Sequence, residues 1–96
     1  MTKVVYNACY GGYGISEEAK ALLRQQGLSC EWRGYDVPRH DPRLVSVVEK
    51  LGKKANAECA NLKIALISGR FYRIHEYDGL EGVYEPHDLE WIEVTK

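Results

Sequence analysis

Ten consecutive residues, Asn7-Ala8-Cys9-Tyr10-Gly11-Gly12-Tyr13-Gly14-Ile15-Ser16, bring together a carboxamide, a thiol, two phenols, three glycines and a hydroxyl. Three glycines in four positions would weaken a strand or a helix, because glycine loses more backbone entropy on folding than any other residue. Their use is a tight strand-to-helix turn. With Ser16 capping the helix, the amides around the turn would point outward together and suit an anion such as phosphate or carboxylate. Tyr10 and Tyr13 supply rings on which a nucleobase can stack, although the same rings could simply cover the end of a sheet. Further along, Arg39-His40 stands directly before Asp41-Pro42. Arg39 can hold phosphate bidentately; a surface arginine is the plainer reading. His40 adjoins a capping aspartate and is read as a local hydrogen-bond donor. The candidate ligand-binding set is therefore Asn7, Tyr10, Gly11, Gly12, Tyr13, Ser16, Arg39 and His40.

Named motifs do not extend this set. No Gly-Lys-Ser/Thr follows the loop, and Gly12-Tyr13-Gly14 lacks the third glycine of a dinucleotide fingerprint. Cys9, at a strand end before a helix N-terminus, occupies a place where a thiol pKa can be lowered, but no Cys-x5-Arg phosphate cradle surrounds it. His75, Glu76, Asp78, Glu85 and His87 offer acids and bases at spacings that demand neither catalysis nor a metal. No catalytic residue, metal ligand or cofactor is assigned. Cys9, Cys30 and Cys59 are odd in number and widely spaced, so reduced thiols are expected rather than zinc or a disulfide framework.

The elements that must position these residues read as follows. Residues 3–8 are a buried first strand, and a helix over about 17–26 follows, with Gly27 as its left-handed cap. Residues 28–33 are a second strand. Asp41-Pro42 starts a long helix, whose face Leu44, Val47, Val48, Leu51, Ala55 and Cys59 continues past Gly52 to about residue 61. Residues 62–68 are a third strand. Asp78-Gly79 is a two-residue hairpin turn between 72–77 and 80–85, and residues 89–94 alternate well enough to add an edge strand. The expected architecture is one α/β domain spanning residues 1–96: a small two-layer βαβαβ core with parallel strands and an appended antiparallel C-terminal hairpin. In such a sheet the ligand crevice lies beyond the carboxyl ends of the strands, where the helix starts at Ser16 and Asp41 would face each other.

Ninety-six residues with a formal net charge of −1 lack the basic excess of a general nucleic-acid binder. The charge is uneven: all but one of the 13 Lys and Arg lie in residues 1–73, whereas half of the 14 Asp and Glu lie in 74–96. The chain shows neither a secretory h-region nor a membrane-length apolar run, so a cytoplasmic protein without membrane association is expected. A homo-oligomer stays open.

The glycine loop, Arg39-His40-Asp41-Pro42, Leu62-Lys63-Ile64 and Glu76-Tyr77-Asp78-Gly79 together resemble a family of small, largely uncharacterised phage and prophage proteins. Their loop usually reads Cys-Tyr-Gly-Gly-Phe, where this chain has Tyr13, and the segment after Pro86 departs from the pattern. The resemblance implies a phage setting, hence the host cytoplasm. Joined to the crevice, it leads to the expectation of a non-enzymatic protein that binds a nucleotide-derived or other phosphate-bearing small molecule and sequesters a host immune signal as an anti-defence function. Two alternatives stand beside it: a small phosphoesterase or transferase using Cys9 or the hairpin acids, and an interaction module that inhibits a host factor through its acidic hairpin.

Overall fold

The computed structural model describes residues 2–28 and 34–86. Strand β1, Thr2–Asn7, carries the adjacent valines Val4 and Val5, both fully buried, so both of its faces are covered. It pairs with β2, Leu62–Ile67, in a register that sets Thr2 opposite Ile67 and Asn7 opposite Leu62. The pairing is antiparallel, which overturns the expected parallel βαβαβ core. Its cause lies in the turn before β2. Asn61 N–H donates to the Asn7 side chain, Ala8 N–H to the Asn61 carbonyl, and Leu62 N–H to the Asn56 side chain, each at 2.8 Å. These bonds make the chain enter β2 beside the point where it leaves β1. The expected second strand falls largely on residues 29–33, and the expected edge strand on 89–94; both lie outside the described residues.

Helix α1, Glu17–Gln25, has Ser16 as its N-cap, and its end is the one the sequence signals. Gly27 takes φ +82°, while Gly27 N–H and Leu28 N–H donate back to the carbonyls of Arg24 and Leu23, a Schellman ending. Helix α2 covers Pro42–Leu51, shorter than the sequence pattern suggests. Gly52 at φ 57°, ψ −126° leaves helical geometry, which a residue with a side chain resists at positive φ. A single 3-10 turn, Gly52–Ala55, carries the chain on. Ala55 stays buried while Cys59, last of the supposed helical face, is exposed. Leu23 from α1 and Leu44 from α2 meet Val5 and Ile15 in the main cluster, where truncating a leucine costs about 2–5 kcal/mol.

Strands β3, Arg73–Tyr77, and β4, Leu80–Tyr84, form the expected hairpin about Asp78-Gly79. The register pairs Arg73 with Tyr84, His75 with Gly82 and Tyr77 with Leu80, and the two strands make a sheet of their own. The fold is thus mixed α and β, with two helices and two small antiparallel sheets. Among the described residues, no helix is long and apolar enough to cross a membrane.

Candidate functional site

The glycine loop is a crossing point of three chain segments. A Cβ on Gly11 would overlap the backbone of Cys59, and one on Gly79 would overlap Tyr10 and Gly12. Gly12 itself stands at φ +95°. Close approach and positive φ account for these glycines. Asn7, fully buried, spends its polar capacity on the same junction. Its Nδ2 donates to the carbonyls of Cys9 and Gly79 at 2.7 and 2.8 Å, its Oδ1 accepts from Asn61 N–H, and its own N–H donates to Glu81 at 2.9 Å. The Cys9 thiol donates to the Cys59 carbonyl. Ser16 caps α1 by accepting from Ala19 N–H, and its hydroxyl donates to the Lys54 carbonyl at 2.6 Å. The 420 Å³ cavity beside Ser16 is also lined by Glu17, Lys20 and Glu58; Lys20 is paired with Glu17 at 3.2 Å, so the carboxylates outnumber the cation and oppose an anion.

Tyr13 is 2% exposed. The Arg39 guanidinium lies over its ring at 3.5 Å, and the Tyr35 ring stands 5.8 Å away. Arg39 in turn grips Glu81 with two hydrogen bonds of 2.6 and 3.0 Å; the two side chains are 14% and 6% exposed. Its carbonyl accepts from Val5 N–H. This arginine ties the 34–41 connection to β1 and to the hairpin. Only Tyr10 of the loop presents its ring to solvent. The two helix starts do not share a crevice: Ser16 bonds to Ala55 beyond the end of β1, whereas Pro42 and His40 line a cavity with Thr2 and Lys3 at its beginning.

His40, like Tyr10, is a candidate residue that remains exposed. Its Nδ1 shares a 2.7 Å hydrogen bond with the Tyr72 hydroxyl, and both side chains line a 260 Å³ cavity with Arg70, Gly69, Thr2 and Ile67. Burial pushes the Tyr72 phenol above its ordinary pKa, with a smaller opposing pull from the Arg39 charge. On the other side of Tyr72, a 190 Å³ groove is formed by Phe71, Arg73, Tyr84, Glu85 and Pro86. Phe71 is 72% exposed. The Glu85 carboxylate accepts from Ser68 N–H, Ser68 Oγ and Gly69 N–H at 2.9–3.2 Å, which fixes the loop that carries Arg70 and Phe71.

Strand alternation sorts the hairpin into two chemically different faces. Glu76 and Glu81 are cross-strand partners on one face; Glu81 is held by Arg39, and Glu76 accepts from Gly79 N–H at 3.1 Å. The other face presents Arg73, His75, Tyr77 and Tyr84. His75 meets Tyr84 edge to face at 5.9 Å, and the Tyr84 ring passes over Gly82, where a Cβ would lie 3.2 Å from it. No carboxylate of β3 or β4 shares that face, and Arg70 and Arg73 have no ionic partner among the described residues. Sequence reasoning passed over Arg70, Phe71, Tyr72, Arg73, Tyr77 and Tyr84. Their signal was the Arg-Phe-Tyr-Arg run after Gly69 and the period-two pattern of 73–77, which puts Arg, His and Tyr on one side.

Among the described residues, no group of three or more His, Cys, Asp or Glu is placed to hold a metal ion. No family model, curated protein or solved structure matches the chain.

Proposed function

We propose that the protein binds, without turning it over, a small ligand of nucleotide type on the surface formed by residues 70–73 and the outward face of the β3–β4 hairpin. The carrying observation is the sorting of charge: the strand carboxylates Glu76 and Glu81 are internally bonded on the opposite face, while Arg70 and Arg73 are left without an ionic partner among the described residues beside exposed rings. A planar ring can stack in the Phe71–Tyr84 groove. A phosphate can reach Arg70 and His40 across Tyr72, by charge-assisted hydrogen bonds. The likeness of the Cys9–Gly14 loop to phage proteins implies a phage setting and no activity; by analogy with that setting, the ligand is a nucleotide-derived immune signal and the action sequestration.

Thermal denaturation with a panel of nucleoside mono-, di- and cyclic phosphates tests this. Stabilisation of about 2.7 kcal/mol is expected at a hundredfold excess over Kd, and the ligand is recovered intact. Phe71→Ala and Arg70→Ala abolish the shift while the free protein melts as before. No shift with any nucleotide, or a shift lost in Tyr10→Ala and kept in Phe71→Ala, contradicts the proposal. A second reading, hydrolysis of the same ligand, is favoured by the His40–Tyr72 hydrogen bond at the cavity wall, since a histidine so placed can move a proton. Product formation that His40→Gln removes would select it.

A further inference from the structure

The geometry points to a short single-stranded oligonucleotide, rather than one mononucleotide, as the occupant of the hairpin face; this deepens the nucleotide-binding reading and rests on it. Tyr84 stands opposite Arg73, and Tyr77 stands four residues further along the same strand, on the same side. At about 3.3 Å per residue the two rings are about 13 Å apart along the strand, further than one base can cover. Phe71, 72% exposed, extends the row beyond Tyr84, and Tyr77, 71% exposed, ends it at the turn. Between Tyr84 and Tyr77, His75 lies edge to face against Tyr84, whose ring covers Gly82, and no carboxylate of either strand interrupts the row.

Charge complementarity favours a polyanion over a peptide. Arg73 and His75 lie in the row, Arg70 stands across Tyr72 from it, and the carboxylates Glu76, Glu81 and Glu85 are each bonded to donors of this chain. Rings stack on any unpaired base and not on a paired one, so a single strand is selected over a duplex. Two available arginines also limit the reach. The net charge of −1 gives no general attraction to long nucleic acid, so a few nucleotides or a strand end is the matching length.

Fluorescence anisotropy of a 5′-labelled tetrauridylate, competed with unlabelled UMP, tetrauridylate and a self-complementary duplex, tests the assignment on the full chain. The tetranucleotide competes at least about tenfold better than UMP, and Tyr77→Ala weakens the tetranucleotide by about 5- to 160-fold while leaving UMP unchanged. Tyr77→Phe retains binding, and a thermal melt shows that each variant is folded. The slope of log K against log salt is about −1.4 for two phosphate contacts, and Arg73→Ala lowers its magnitude by about 0.7. Equal affinity for UMP and tetranucleotide, or equal affinity for duplex and single strand, overturns this inference and leaves the mononucleotide site standing. Binding of neither overturns this inference, and the nucleotide panel then decides the mononucleotide site separately.

Discussion

The glycine loop and the hairpin face are both rich in tyrosine and both lie near an arginine, yet they differ in what their polar groups are doing. Around the loop, Asn7, Cys9, Ser16, Arg39 and Glu81 are bonded to one another or to backbone at 2.6–3.1 Å, and Tyr13 is closed in. Across the hairpin face, Arg70 and Arg73 have no ionic partner among the described residues, and Phe71, Tyr77 and Tyr84 are exposed. Residue types that suit a ligand also suit a structural junction. What separates the two is whether their bonding capacity has already been spent inside the fold.

The sharpest break of this comparison is Arg39→Met. Glu81, 6% exposed, would be left buried with one ionic partner gone, and loss of one member of such a pair costs about 3–5 kcal/mol. Urea unfolding should show that drop with an unchanged m-value. The Arg39→Met, Glu81→Leu double variant should recover much of it. A loss of ligand affinity in a folded Arg39→Met protein, with little loss of stability, would return the site to the loop.

Gly11→Ala is expected to cost about 1–3 kcal/mol, the scale of overpacking, because its methyl group overlaps the Cys59 backbone. A neutral result would mean that the crossing is looser than described. Smaller again is the contribution of Asp41, whose carboxyl the Arg43 side-chain hydrogen bond holds below its ordinary value of 3.8. A depressed folded pKa stabilises the native state above 3.8, and this contribution is lost as pH falls through the lower folded value. Asp41→Ala removes the cap of α2 as well, at about 0.5–2 kcal/mol, and its stability should depend less on pH in that acid range. Denaturant midpoints across the range check both. Smallest is the effect of Phe71→Ala and Tyr77→Ala on stability, within about 0.5 kcal/mol, although each removes a large ring. A fall beyond 2 kcal/mol, on the scale of a core truncation, would show that these rings hold the fold together.

Much of the fold was legible where local chemistry decides it. Ser16 and Gly27 bound α1, Asp41-Pro42 starts α2, and Asp78-Gly79 turns the hairpin, each by rules that involve neighbouring residues only. Strand direction was not legible, because it is set by the side chains of Asn7 and Asn56 reaching residues 61 and 62, far away in sequence or across a turn. The candidate site failed for a related reason. A glycine needed for an anion and a glycine needed for a chain crossing look alike until the crossing partner, Cys59 or Tyr10, is known. The hairpin appeared acidic when its residues were counted, and alternation hid the fact that the strand positions of its outward side carry none of those acids.

The most direct test of the central claim is an amide chemical-shift titration of the isotopically labelled protein with UMP. The account predicts perturbations concentrated at residues 69–77 and 82–85, with Gly11, Gly12 and Gly14 unmoved. Shifts concentrated at residues 7–16 with a silent hairpin would contradict it.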